Sequence, residues 1–107
     1  MLGNEDLGQR SYLVGYGFNP PTQPHHRSSS CPDRPAKCDW NNFNANAPNP
    51  QVLTGALVGG DKSTNDIYED KRSDYIRNEV TLDYNAGFQS AVAAILSLQR
   101  DGDCGPE

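Results

Sequence analysis

The 107-residue sequence predicts a helical, loop-rich chain with one long helix near its C-terminal end. Three observations predict it. Val80, Tyr84, Phe88, Ala91, Val92, Ile95 and Leu96 recur at the spacing of one helix face, which places a helix over about residues 79–99. Seven of the eight prolines fall in residues 18–50, with five asparagines between Asn41 and Asn49, so that stretch is turn and loop. Leu, Ile, Val and Phe together make only 19 of 107 residues, under the ~20% below which a chain struggles to fold on its own aliphatic core. The core is therefore thin, and something beyond these residues is expected to complete it.

Taken in order, residues 1–14 read as the tail of a helix or a short strand, with Leu2, Leu7, Leu13 and Val14 apolar and Gly15 and Gly17 ending any regular element. Residues 18–50 are uncommonly long for a structureless loop inside a compact domain, so they are either disordered, as composition alone suggests, or a functional loop held by a scaffold. They carry His25, His26, Arg27, Trp40 and Phe43, side chains suited to gripping a ligand. Residues 50–60 form a short apolar segment that reads as one or two helical turns stopped by Gly59-Gly60. Seven carboxylates follow between Asp61 and Asp83, interleaved with Tyr68, Tyr75 and Ile76. Asn78 is the expected N-cap of the long helix, and Gly102 follows its end.

Composition closes several doors. A net charge of −5 without a cluster of Lys and Arg argues against a nucleic-acid surface, because phosphate binding needs grouped cations. No run approaches the ~20 apolar residues of a membrane span, so no membrane partner is expected. Met1-Leu2-Gly3-Asn4-Glu5-Asp6 has neither the basic start nor the apolar stretch of a secretory signal. Of the three cysteines, Cys31 and Cys38 either close a small loop in an oxidising compartment or remain thiols; their C-x6-C spacing lacks the usual zinc pattern, and Cys104 is left over. Phosphate-cradling, dinucleotide-binding and serine-nucleophile motifs are all missing.

Two groups carry chemistry. Asp70 and Glu79 stand nine residues apart among Tyr68, Tyr75 and Tyr84. They are either solvated carboxylates that offset the dipole of the following helix, or an acid placed against aromatic faces and fit for proton donation. His25, His26 and Arg27 follow Pro20-Pro21-Thr22-Gln23-Pro24, whose prolines stiffen the backbone. In an extended segment His25 and Arg27 point to one side, where an imidazole and a guanidinium suit vicinal hydroxyls; otherwise they are an exposed histidine pair and a salt-bridged arginine. Asp61, Asn65, Asp66 and Asp70 offer oxygen ligands for calcium but lack the EF-hand spacing. No metal site is expected among these residues.

Two stretches together resemble the glycoside hydrolase family 9 cellulases, or endo-β-1,4-glucanases. Ser11 through Gly15-Tyr16-Gly17-Phe18-Asn19-Pro20 to His25-His26-Arg27 is similar to the family's histidine signature. Tyr68-Glu69-Asp70, Tyr75 and Asn78-Glu79-Val80-Thr81 to Asn85-Ala86-Gly87-Phe88 is similar to its acidic signature. Ser30-Cys31-Pro32, Cys38-Asp39-Trp40 and Asn49 through Gly60 resemble the animal branch, so the likeness covers residues 1–98 and leaves 99–107 as a tail.

The resemblance implies an all-α fold, the C-terminal part of an (α/α)6 barrel, in which Glu79 is the proton donor to the glycosidic oxygen. Asp70 is then the second acidic residue assisting it, His25 and Arg27 hold sugar hydroxyls, and Tyr84 lines the scissile bond. Trp40 joins them as a stacking platform on its residue type. Such enzymes invert: one carboxyl protonates the leaving group while a second, roughly 6.5 to 9.5 Å away, activates water. The family's general base lies in an Asp-Ala-Gly-Asp motif that these residues lack, so the sequence reads as a C-terminal portion of a secreted, monomeric enzyme. No cofactor is required, calcium belongs to the complete enzyme if anywhere, and the partner is a β-1,4-glucan. The chain by itself is expected to fold marginally and to show no useful activity. The rival reading is a non-catalytic carbohydrate-binding remnant that keeps the gripping loops.

Overall fold

The structure, a computed structural model, describes residues 1–61 and 67–102. Its regular elements are a 3-10 turn at Glu5–Leu7 and three helices, α1 (Arg27–Ser30), α2 (Trp40–Asn44) and α3 (Leu82–Asp101). There is no strand among the described residues. Distant segments meet instead at isolated bridges, Leu13 with Leu57 and His25 with Glu79.

The small core forms where two extended stretches cross. Val14 N–H donates to Ala56 O at 2.9 Å, Gly55 N–H to Val14 O at 2.8 Å and Val58 N–H to Tyr12 O at 3.0 Å. Val14, Ala56 and Val58 are buried by this pairing, with Tyr12, Leu53, Tyr68 and Val80 packed around them. Two expectations are corrected here. Residues 1–14 are neither a helix tail nor a strand: Asn4 caps the 3-10 turn by accepting from Asp6 N–H, and Leu2 and Leu7 stay exposed. Residues 50–60 are not helical, because the extended register is what turns both Ala56 and Val58 inward. Gly17 is required between these segments, since its φ is +82° and a Cβ there would lie 2.1 Å from the Leu2 carbonyl oxygen.

The long helix starts later than its periodicity suggests. Thr81 is the N-cap, its hydroxyl accepting from Tyr84 N–H at 3.1 Å, and Val80 lies before the helix on the core cluster. Gly102 closes the other end in the left-handed conformation, as its position past the apolar repeat predicts. Asn85 ties the first turn down: its side-chain amide accepts from Leu57 N–H at 2.8 Å and donates to Leu57 O at 3.1 Å. Beyond that no residue of α3 is buried, and Ile95 and Leu96 are more than half exposed. The radius of gyration, 16.0 Å, accordingly exceeds the ~13 Å of a compact 100-residue domain.

Asn78 does not cap the helix because its polar atoms are engaged elsewhere. It is fully buried. Its side chain donates to Glu69 O at 2.7 Å and accepts from the Tyr68 hydroxyl, and its backbone N–H donates to Asp74 O at 3.0 Å. Burial pushes the Tyr68 hydroxyl well above the ordinary phenol range, the Asp70 charge adds to this, and the Arg10 guanidinium over the ring opposes it. Below Asn78 a tight turn is closed by Asp74, which accepts from Ile76 N–H, Arg77 N–H and Arg77 Nη1. Desolvation raises the Asp74 carboxyl, but the hydrogen bonds and charge of Arg77 outweigh it and hold the group below its usual value of 3.8.

Cys31 and Cys38 form a disulfide with Cα atoms 5.4 Å apart, which decides between the two fates open to them in the sequence. Cys104 lies outside the described residues. No helix among them is long and apolar enough to cross a membrane.

Two outcomes follow from the turn below Asn78. Asn78→Ala strands the Glu69 carbonyl and the Tyr68 hydroxyl, and urea unfolding should show a loss of about 2–4 kcal/mol. Asp74 contributes stability that is fully present above the unfolded carboxylate value of 3.8 and is lost as pH falls through its lower folded value. Thermal melts between neutral and strongly acidic pH should therefore fall less steeply for Asp74→Asn than for the native chain.

Candidate functional site

The site begins with a carboxylate that holds a proline-stiffened loop. Pro21 and Pro24 are fully buried, and between them Asp70 grips the backbone: one oxygen accepts from Thr22 N–H at 2.7 Å and Thr22 Oγ1 at 2.8 Å, the other from Gln23 N–H at 2.8 Å. Gln23 Oε1 in turn accepts from Asn49 N–H, and Asn49 Nδ2 donates to Pro24 O and Ser29 Oγ. The chain therefore reaches His25 in a fixed direction. There His25 N–H donates to Asn78 O at 2.7 Å, a parallel bridge that sets His25 beside Glu79.

The side chains then divide. His25 Nδ1 lies 2.6 Å from Arg72 O, and its ring meets Phe43 edge-on with centroids 5.7 Å apart. Phe43 meets Trp40 in the same way at 5.4 Å. These rings, with His26, Arg27, the Cys31–Cys38 disulfide and Arg72, line a cavity of about 430 Å³. Trp40 stands 74% exposed at the start of α2, where Asp39 and Asn42 form a capping box that fixes its direction. Arg27 is not in an extended segment with His25: His26 caps α1 by accepting from Ser28 N–H, so Arg27 is the first helical residue. Both residues nevertheless face the one cavity.

Glu79 is half-buried, and its carboxylate has no hydrogen bond or ion pair among the described residues. It is not on the wall of that cavity. Asp70 lines a neighbouring polar hollow with Lys71, Ser73 and Asn44. Because both of its oxygens are already engaged, its place in the site is to hold residues 22 and 23. Tyr84 sits 40% exposed in the first turn of α3, apart from both hollows.

Of the calcium candidates, Asn65 and Asp66 lie outside the described residues. Asp70 is spoken for, and no three His, Cys, Asp or Glu side chains gather to hold an ion among the described residues.

Asn49 and Arg72 were given no role of their own from the sequence, and Asn78 only that of helix cap, although all three organise the site. The one signal was position: Asn78 directly precedes Glu79, and Arg72 is a cation set within an acidic run.

The profile of glycosyl hydrolase family 9 matches residues 1–92. Endoglucanase 18 of Arabidopsis thaliana is 49% identical over 104 residues, which cover 91% of this chain and 21% of that protein. Endoglucanase B of Cellulomonas fimi is 51% identical over 87 residues, 80% of this chain and 8% of that protein. Among solved structures, the endoglucanase of the termite Nasutitermes takasagoensis superposes with a TM-score of 0.78 at 64% identity, over 86% of this chain and 21% of that one. Endoglucanase CelQ of Clostridium thermocellum, solved with cellobiose and cellotriose, gives 0.66 at 44% identity, over 80% of this chain and 13% of that one.

The chain thus spans about a fifth or less of the length of these relatives. The structural neighbours have the all-α (α/α)6 barrel fold, of which the described residues carry one long helix and the loops that hold His25 and Glu79. Two separated signatures brought edge to edge by one backbone bridge, on a chain so similar to these endoglucanases, leave one assignment: the chain belongs to glycosyl hydrolase family 9.

Proposed function

We propose that this chain supplies the acid side of an endoglucanase that cuts internal β-1,4 links of cellulose and related β-glucans with inversion. The observation that carries the reading is the His25–Glu79 bridge, which supports it by pairing the backbone of a half-buried residue, whose carboxylate has no partner among the described residues, with that of a histidine whose ring the Arg72 carbonyl orients. Glu79 delivers its proton to the glycosidic oxygen as the bond breaks, and a general base contributed from outside these residues activates water on the opposite face of the ring. His25 and Arg27 hold hydroxyls of the glucan, Trp40 offers an exposed ring on which a sugar face stacks, and Tyr84 flanks the cleft. Asp70 assists by fixing the loop that carries His25. Proton transfer and attack by water require no cofactor. That the related CelQ was solved with cellobiose and cellotriose supports a glucan as partner. The Cys31–Cys38 disulfide supports secretion of the enzyme into an oxidising compartment.

A second reading has one observation in its favour: the cavity walls hold His25, Arg27 and Trp40 but not Glu79, which is what a carbohydrate-binding remnant would keep. Two substitutions separate the readings. With this chain in place of the matching segment of the termite endoglucanase, Glu79→Gln should lower kcat for a soluble β-glucan by about 10²–10⁴-fold while KM hardly changes. Retention of most of the rate would remove Glu79 as the acid. Trp40→Ala should weaken retention on cellulose by up to about tenfold in either reading, while Glu79→Gln leaves retention intact.

A further inference from the structure

Arg72 is 8% exposed and has no carboxylate partner among the described residues. Burying a cation without a counter-ion is costly unless its donors are satisfied, and here they are satisfied by neutral acceptors. Nε donates to Phe43 O at 2.8 Å, Nη1 to Asn49 Oδ1 at 2.7 Å and Nη2 to Ala45 O. The planar fork thereby closes residues 43–49 into one shape, a task for which a lysine point charge has the wrong geometry. The backbone of the same residue does a second thing: its carbonyl lies 2.6 Å from His25 Nδ1. A carbonyl only accepts, so Nδ1 carries the hydrogen, and in the neutral ring Nε2 is left as the acceptor.

The contacts form a closed circuit. Arg72 O orients His25, the Arg72 fork holds the Phe43 carbonyl, and the Phe43 ring returns to meet the His25 ring edge-on. Trp40 joins through Phe43.

We propose that Arg72 is the positioning residue of this site: it fixes His25 as the Nδ1–H tautomer, so that Nε2 accepts from a glucosyl hydroxyl whose own oxygen accepts from Arg27, and it holds the Phe43–Trp40 rings against that sugar. The proposal rests on the reading of the cavity as a sugar site, but the tautomer is measured without sugar. Arg72 touches no substrate and acts through His25 and Phe43.

The experiment places this chain in the matching segment of the termite endoglucanase, with Glu79→Gln so that sugar is bound and not cut, and uses 15N-labelled histidine at about pH 8, above the ordinary imidazole range. Ring nitrogen shifts should show His25 protonated at Nδ1, and titration with cellotetraose should show binding. Arg72→Lys keeps the charge and the residue-72 carbonyl but loses the fork that holds that carbonyl and Phe43 in place, so His25 should become a mixture of tautomers and the Kd for cellotetraose should rise about tenfold, as expected for losing hydrogen bonds made by a charged group. Far-UV circular dichroism checks that the variant is folded. A native His25 protonated at Nε2 overturns the proposal whatever the variant does, and so does a folded Arg72→Lys chain with native tautomer and native affinity. If the native chain binds no cellotetraose but Arg72→Lys still frees the tautomer, the positioning role stands and the sugar reading fails.

Discussion

The hydrogen bond from His25 N–H to the carbonyl of Asn78 is the contact on which the rest depends. It joins two segments more than fifty residues apart, neither of which is a strand, and it does so at one point rather than along a ladder. A single bridge of this kind is weak in isolation. It persists because each side is held separately, the His25 side by Asp70 and Asn49, the Asn78 side by Glu69, Tyr68 and Asp74. Side-chain amides and carboxylates thus do here what repeated backbone pairing does in a sheet.

This also accounts for how so few aliphatic residues suffice to place the functional groups. The buried cluster is only Val14, Ala56 and Val58 with their half-buried neighbours, and it lies under the Tyr12–Tyr68 edge contact rather than under the cavity. The cavity itself is walled by rings, a disulfide and a buried guanidinium. Local rigidity near His25 therefore comes from satisfied polar groups, each costly to leave unpaired, more than from apolar packing.

The parts legible in the sequence are those with a local cause. The spacing from Val80 to Leu96 announced a helix, Gly102 announced its end, and the prolines before His25 announced a stiff approach. What was not legible has a non-local cause. Asn78 has the right residue type for an N-cap, yet the burial of Tyr68 and the bare Glu69 carbonyl claim its amide, and Thr81 takes the cap instead. Residues 50–60 carry apolar side chains compatible with a helical turn, but backbone pairing with Tyr12 and Val14 draws them into extension. Asp70 reads as reactive from its neighbours, whereas two backbone N–H groups and a hydroxyl occupy it.

The attachment of α3 has a mechanical meaning. A 20-residue helix is about 30 Å long, and this one is fastened near its first turn, through Asn85 to Leu57. Such a helix is a lever with its fulcrum at Asn85 and its long arm bare. A load on the stripe from Phe88 to Leu96 would turn that arm, and the fulcrum would pass the torque to Leu57 and to the short stretch Glu79–Thr81. The alignment of the Glu79 carboxyl is in this way tied to a helix face whose far end, Leu96, lies about 17 Å along the axis from Asn85.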